Sequence, residues 1–266
     1  MNYKLLFPTY RTRFNHVRQF LQQHVAPMDQ PRVLNLGTGE GDYDPMIAGF
    51  AEEMIACDIH EPDVRFAAQL NAHISNLSYQ VENALDLSFP DNHFDTIVTI
   101  DVIEHTGDPD KMIEEIHRVL KPGGKALVTF PQVHFPVTYD PVNFFRQRQG
   151  KKPRSFGAYG FGHWYLVDAE KVRAKGESLG MTCLDETNLT GALAGVFEMY
   201  WIGAAQSLFK ENAANASTDE EKKVVMRPST KEPFLAKITD GLIGLDRVLL
   251  GRSKYSVGKG LVFQKN

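Results

Sequence analysis

Cysteine is scarce: the 266-residue chain holds two, Cys57 and Cys183, too few for a disulfide framework. Each stands in a strand-like run where a thiol serves as a small core residue, and a reducing cytoplasm is the expected setting. An apolar run of signal-peptide length is missing near the start. Met1 to Arg13 carries Lys4, Arg11 and Arg13 and no small-residue cleavage site, so secretion is not expected. Basic clusters are missing too. Lys and Arg number 29 against 33 acids, for a formal charge of -4, and the cations are spread along the chain. That is not the footprint of a protein that grips a phosphate backbone, and no nucleic-acid partner is expected. No internal repeat is evident. A chain of this length buries one substantial core, and a single α/β domain over 1–266 with one insertion fits better than two independent domains.

From Arg32 to Pro131 short β-branched runs alternate with helical patterns, the signature of a parallel sheet with crossover helices. Strands are expected over Val33 to Leu36, Met54 to Ile59, Leu77 to Val81, Asp95 to Ile100 and Ala126 to Phe130. Asp108 as N-cap and Pro109 at the first helical position open a helix that Lys121-Pro122-Gly123-Gly124 should stop. Its apolar face, Met112, Ile113, Ile116, Val119 and Leu120, suits covering a sheet. Upstream, Phe14, Val17, Phe20, Leu21 and Val25 form another helical stripe, a lid or a brace. Downstream, a helix from Asp168 to Leu179 ends at Gly180, a strand follows from Met181 to Glu186, and Gly260 to Gln264 closes the fold.

What a dinucleotide-binding loop needs is lacking at one position. Val33-Leu34-Asn35-Leu36-Gly37-Thr38-Gly39-Glu40-Gly41 is a buried strand entering a glycine-rich turn. Gly-x-Gly-x-x-Gly counted from Gly37 puts Asp42 at the third glycine. A carboxylate there repels a pyrophosphate, whereas a sulfonium cation tolerates Glu40 and Asp42. Asp58, at the end of the second strand with Ile59 beside it, can accept hydrogen bonds from both hydroxyls of a ribose, a feature equally compatible with NAD. Asn83, in Glu82-Asn83-Ala84, can accept from an adenine amino group while a neighbouring backbone N–H donates to a ring nitrogen. A glycine turn that merely closes a strand-helix corner is the plain alternative.

The chain resembles the class I S-adenosylmethionine-dependent methyltransferases, especially the small-molecule group that includes ubiquinone and menaquinone biosynthesis methyltransferases. The resemblance runs from about Arg32 to Pro131 and rests on Asn35-Leu36-Gly37-Thr38-Gly39-Glu40-Gly41, Ser88-Phe89-Pro90-Asp91, Phe94-Asp95, Asp101-Val102-Ile103-Glu104-His105 and Arg118-Val119-Leu120-Lys121-Pro122-Gly123-Gly124. It implies a Rossmann-like, doubly wound α/β fold with a mostly parallel seven-stranded sheet, into which this chain's own composition sets a helical insertion before the last strand. It also implies S-adenosylmethionine as cofactor. Asn35 and the loop of Gly37, Thr38, Gly39 and Gly41 would hold the methionine portion, Asp58 and Ile59 the ribose side, Asn83 and Ala84 the adenine, and Ile100 and Asp101 the region beside the adenosyl group. The family usually has Asp where this chain has Asn35 and Asn83, so two charges are exchanged for amides.

Methyl transfer from a sulfonium is an in-line displacement in which the enzyme positions the acceptor and, for a hydroxyl, removes its proton. His105, with Glu104 beside it, is the leading base; the alternative is that the pair caps or braces the next helix. Asp101, Glu104 and His105 also resemble an acid-x-x-Glu-His pattern of metal-dependent ubiquinone-type and small-RNA 2′-O-methyltransferases; no metal is assigned here. Residues 132–165 hold His134, Tyr139, Asp140, Phe144, Phe145, Arg146, Tyr159, His163 and Trp164, an aromatic density that suits an apolar acceptor or a core under a long loop. His163 is a second base candidate on a glycine-rich lid.

The insertion spans 189–257. Leu189 to Phe209 is apolar on nearly every helical face, and Glu198 at its centre argues against a membrane span. A buried helix, a cap over an apolar pocket and a surface dipping into one leaflet remain open. Glu211 to Glu232 is polar, and Phe234 to Leu250 is amphipathic. The expectation is methyl transfer, most naturally to oxygen, on a small hydrophobic, lipid-like or glycosylated acceptor, with peripheral membrane contact through 189–209 as one reading. The rivals are a non-catalytic adenosyl-binding scaffold and an NAD-dependent oxidoreductase. The acceptor and the oligomeric state are not written in the sequence.

Overall fold

The computed structural model describes residues 1–133, 141–152, 166–191, 193–195, 197–198, 209–210, 224–225, 231–250 and 256–266. They gather into two compact units. The larger contains Phe14–Phe130, Asp168–Thr187 and Gly260–Asn266; the other contains Met1–Arg13, Pro131–Val167 and Asn188–Lys259.

A seven-stranded sheet in the order β3-β2-β1-β4-β5-β9-β6 organises the larger unit. The strands are β1 (Arg32–Leu36), β2 (Glu53–Asp58), β3 (Leu77–Val81), β4 (Phe94–Ile100), β5 (Leu120–Pro131), β6 (Met181–Leu189) and β9 (Gly258–Lys265). β1 pairs in parallel with β2 and β4, β2 with β3, and β4 with β5. Val33, Leu34 and Leu36 of β1, Met54 and Cys57 of β2, and Phe94, Ile97 and Val98 of β4 are buried, which is why these strands read as apolar runs without alternation. Burial pushes the Cys57 thiol far up, so it is inert core, as its setting suggests. The chain runs outward from β1 through β2 and β3, then returns to β4 on the other side of β1. That reversal places a crevice at the carboxyl ends of β1 and β4.

Helices α1 (Pro8–His24), α2 (Asp44–Ala48), α3 (Glu61–Leu70), α4 (Pro109–Val119) and α6 (Ala169–Ser178) accompany the sheet, and α5 (Pro141–Arg148) belongs to the smaller unit. Asp108 caps α4 by accepting from the Lys111 N–H at 3.0 Å, Pro109 fills the first helical position, and Met112, Ile113, Ile116 and Val119 are buried. Asp168 caps α6 in the same way, through Glu170 N. The α1 stripe of Val17, Phe20 and Leu21 is buried, and its Phe14 ring lies 5.9 Å from Tyr43. It acts as a brace.

Three expectations change. Lys121-Pro122-Gly123-Gly124 ends α4 but is no loop. It lies within β5, where the register jumps from Phe94↔Leu120 to Thr96↔Lys125 and Lys121 Nζ donates to both Asp95 carboxylate oxygens at 2.8 Å. β2 stops at Asp58, leaving Ile59 beyond the strand. β6 runs on to Leu189, so the first residue assigned to the insertion is the last of a strand.

In the smaller unit, Leu193–Gly195 and Phe197–Glu198 are helical, and β7 (Phe209–Lys210) pairs in parallel with β8 (Val224–Val225). Helix α7 (Ala236–Leu250) carries polar anchors. Arg11 is clamped by Asp240 through Nε and Nη2 at 2.9 Å each and by Glu232 at 2.8 Å. Asp246 accepts from the N–H groups of Gly191 at 2.6 Å and Leu193 at 3.1 Å. Glu198 is buried and accepts from Thr9 N–H and the Thr9 hydroxyl. A glutamate held this way fits the buried reading at position 198, while 192, 196 and 199–208 lie outside the described residues. Among the described residues no helix is long and apolar enough to cross a membrane.

Candidate cofactor site

The glycine turn begins where β1 ends. Gly37, Gly39 and Gly41 all have positive φ, +83°, +52° and +74°. They do so for different reasons. A Cβ on Gly37 would lie 2.1 Å from Val102 Cγ2, and one on Gly41 would lie 2.7 Å from Asp44 Oδ2 and 2.8 Å from Ala67 Cβ. Both positions are therefore set by protein packing. Gly39 has nothing within 4 Å of such a Cβ, so it alone presents open backbone. The Gly37 and Thr38 N–H groups donate to Cys57 O at 2.8 Å each, tying the turn to β2.

Beneath the turn lies a buried polar network. Asp44 is fully buried and accepts from Asn35 Nδ2 at 2.7 Å, from Thr38 Oγ1 at 2.8 Å and from the Tyr79 hydroxyl at 2.6 Å. Asn71 Nδ2 donates to the Tyr79 hydroxyl at 2.8 Å and to Gly41 O at 3.2 Å. A carboxylate only accepts, so the Asn35 nitrogen must face it. The Asn35 amide oxygen accepts no hydrogen bond among the described residues. Of this network, sequence reasoning found Asn35, Thr38 and Gly41 but missed Asp44, Asn71 and Tyr79. The one available signal was Asp44-Pro45, an acid and a proline opening α2.

One strand over, Asp58 is half-buried at the end of β2. Its Oδ2 accepts from Gly39 N–H at 2.9 Å and its Oδ1 from His60 N–H at 3.0 Å. Each oxygen keeps a further lone pair for a vicinal diol. Ile59 is 69% exposed and Val81, paired in register with Asp58, is 51% exposed. Two bare aliphatic side chains beside a carboxylate offer an apolar surface for a flat ring. Asn83 is exposed, and its side-chain oxygen accepts from Leu85 N–H at 3.0 Å, with half-buried Ala84 inside this turn.

At the end of β4 the backbone is strained. Asp101 has φ +53°, in the left-handed region, held by its N–H to Thr129 O at 3.0 Å and by the Thr129 hydroxyl donating to its carboxylate at 3.1 Å. Ile100, half-buried, precedes it, and Val102 presses on Gly37, so the Asp101-Val102 corner rests on the glycine turn. The following 3-10 turn, Ile103–His105, separates the two base candidates: Glu104 is fully buried, whereas His105 is exposed. Among the described residues no three His, Cys, Asp or Glu side chains gather as a metal centre, so Asp101, Glu104 and His105 do not assemble into one. His163, like His134, Tyr139, Asp140, Tyr159 and Trp164, lies outside the described residues.

This arrangement fits an adenosyl sulfonium. Open backbone at Gly39, a diol acceptor at Asp58 and an aliphatic shelf at Ile59 and Val81 follow one another across the strand ends. The buried Asp44 charge beneath the turn favours a cation over a pyrophosphate.

Residues 34–128 match the family model described as a methyltransferase domain. The ubiquinone/menaquinone biosynthesis C-methyltransferase UbiE of Yersinia pestis (strain Pestoides F) is 30% identical over 175 residues, covering 61% of this chain and 64% of that protein's length. A putative sarcosine dimethylglycine methyltransferase from Galdieria sulphuraria shares the fold at a TM-score of 0.60 and 17% identity, over 95% of this chain and 86% of that one. Phosphoethanolamine N-methyltransferase 2 of Haemonchus contortus, solved in complex with S-adenosyl-L-methionine, gives a TM-score of 0.59 at 19% identity, over 94% of this chain and 52% of that one. The domain built on β1 to β5 is that of a class I S-adenosylmethionine-dependent methyltransferase, related to UbiE.

Proposed function

We propose that the whole chain transfers a methyl group from S-adenosylmethionine to a small, hydroxylated, apolar or lipid-like acceptor. The observation that carries this reading is the succession Gly39, Asp58, Ile59 at the carboxyl ends of β1 and β2, beside the strained Asp101 of β4. The cofactor supplies an electrophilic methyl on a sulfonium. The chain's own residues hold and orient it: Gly39 gives close backbone approach to the methionine portion, Asp58 accepts from the ribose hydroxyls, and Ile59 and Val81 flank the adenine. Asn83 and Ala84 face the adenine edge, and Ile100 and Asp101 bound the adenosyl group on the β4 side. Because Glu104 is buried and His105 exposed, His105 is the base of that pair, taking the acceptor hydroxyl proton at an imidazole nitrogen, with His163 kept as the second candidate.

Oxygen is the methylated atom in this reading, because a single exposed base suffices to ionise a hydroxyl. The names of the UbiE relatives favour a second reading, methylation of a ring carbon activated by the same ionised hydroxyl. Both use His105 in the same way. The deciding experiment is calorimetric titration with S-adenosylhomocysteine and with NAD, then transfer of isotopically labelled methyl to hydroxylated quinol-type acceptors with the product position read by NMR. Heat with S-adenosylhomocysteine and label on an acceptor support the proposal; heat with NAD alone overturns it.

A further inference from the structure

The turn that follows β3 dictates which arm of the Asn83 amide is left over. Glu82 N–H donates to Asp58 O at 3.1 Å, so the turn starts directly beside the carboxylate assigned to the ribose. Asp86 N–H then donates to Asn83 O at 2.9 Å, and Leu85 N–H donates to Asn83 Oδ1 at 3.0 Å. Only the oxygen of a carboxamide accepts, so the Leu85 contact orients the side chain and leaves Nδ2 as its other arm. Asn83 is exposed, and among the described residues no acceptor engages its Nδ2.

That orientation is built in before any ligand arrives. Glu82 accepts from Ser88 N–H at 3.0 Å and from the Ser88 hydroxyl, which closes the loop on itself. Leu87 is gripped on both sides: its N–H donates to Glu115 Oε2 at 2.9 Å, and its carbonyl accepts from Arg118 Nη2 at 2.8 Å. Arg118 Nη1 also donates to Phe89 O at 2.8 Å. Glu115 and Arg118 belong to α4, whose apolar face is buried, so the turn that carries Asn83 is pinned to the core.

A donor and an acceptor read a purine differently. Adenine carries an amino donor at its 6-position, flanked by the acceptors N1 and N7, whereas a 6-oxopurine carries the acceptor O6 at that place. An aspartate turned by the same Leu85 N–H would present a second oxygen and select the amino group. Asn83 presents an N–H instead. We infer that Asn83 is a specificity-determining residue that donates Nδ2–H to an acceptor on the 6-position edge of the purine, N1 or N7 in adenine and N7 or O6 in a 6-oxopurine. The site therefore does not use the exocyclic amino group to recognise its nucleoside, and it takes S-adenosyl and S-inosyl derivatives alike. The sequence alone admits Asn83 as the acceptor for that amino group; the Leu85 contact reverses the polarity. This inference rests on the methyl-donor reading above and deepens it.

The test is calorimetric titration of the full chain and of Asn83→Asp with S-adenosylhomocysteine and with S-inosylhomocysteine, its 6-oxopurine analogue. The parent is expected to bind the two within about threefold of one another. Asn83→Asp keeps an acceptor for Leu85 N–H, so its melting temperature should match the parent's. It is expected to prefer the adenosyl ligand by about tenfold or more, because its outward oxygen accepts from the amino group and repels O6. A parent that rejects S-inosylhomocysteine by about tenfold or more, or an Asn83→Asp variant with the parent's ratio, overturns the inference and leaves the methyl-donor reading standing. Absence of heat with S-adenosylhomocysteine in the parent overturns both.

Discussion

Asn35 points its amide nitrogen at Asp44 across 2.7 Å, at a depth where neither side chain meets solvent to any useful extent. The first acid expected at the end of β1 is thus displaced onto the start of α2. The negative charge is kept below the glycine turn, and the amide at position 35 is what allows it to sit there. Thr38 and Tyr79 supply the remaining donors, so the carboxylate is fully clothed.

Asn35→Asp should therefore damage the fold rather than repair the motif. It sets two buried carboxylates side by side, and one must take up a proton. The folded pKa of that acid is raised above its unfolded value, so the variant's deficit is smallest at acid pH and grows as pH rises above about 4. A loss of about 3 kcal/mol at neutral pH is expected in urea titrations. A variant as stable as the parent at neutral pH contradicts the Asn35-Asp44 pairing.

Gly37 and Gly39 should separate stability from binding. Gly37→Ala drives a Cβ into Val102 and costs about 3 kcal/mol, partly recovered in Gly37→Ala/Val102→Ala, where the offending γ-methyls are gone. Gly39→Ala meets no protein atom and loses about 1 kcal/mol through its positive φ alone. The expected outcome is near-native melting of Gly39→Ala with weakened S-adenosylhomocysteine uptake by calorimetry. Unaltered uptake means the open backbone at Gly39 does not face the cofactor.

Much of the larger unit was legible because its signals are local. Leu77 to Val81 reads as a strand and is one, and Asp108-Pro109 announces the start of α4 to the residue. Lys121-Pro122-Gly123-Gly124 misleads because proline and glycine mark a break in any backbone, and only the partner strand reveals a register jump inside β5. The glycine turn was located correctly, but the reason for Gly37 was not. Its neighbour Val102 is far away in sequence, and no pattern in one strand records what the next element presses against it. Asp44, Asn71 and Tyr79 were invisible for the same reason. The exposure of Ile238, Leu245 and Leu249 on α7 was hidden because periodicity reveals a stripe without telling which way it faces.

Glu198 gives the smaller unit a pH dependence. Burial pushes its carboxyl pKa up, opposed by the hydrogen bonds from Thr9 and by the Arg13 charge. With the folded pKa raised, the folded form holds its proton where the unfolded chain releases it. Stability from this group is thus complete below the unfolded pKa and declines as pH rises toward the folded one. Glu198→Gln keeps the shape and removes the titration. Its stability curve should be flatter across that window and lie above the parent's at neutral pH; parallel curves for the two proteins would refute a raised pKa at this position.

Asp58 and His105 should fail in different ways. Asp58→Ala removes the acceptor of Gly39 N–H and the anchor assigned to the ribose, and a charged hydrogen-bond acceptor is worth about 1.5–3 kcal/mol, so affinity for S-adenosylhomocysteine should fall about 10- to 100-fold. Asp58→Asn keeps one acceptor oxygen and should recover part of the loss. His105→Ala leaves the glycine turn and Asp58 untouched, so calorimetry should show near-parental cofactor binding while labelled methyl transfer falls about 10²- to 10⁴-fold. Raising the pH should restore part of the His105→Ala rate, because a hydroxyl that ionises by itself no longer needs the imidazole. A cofactor affinity lost in His105→Ala, or a rate that stays flat with pH, means that His105 supports the 3-10 turn after β4 and that the proton leaves by another route.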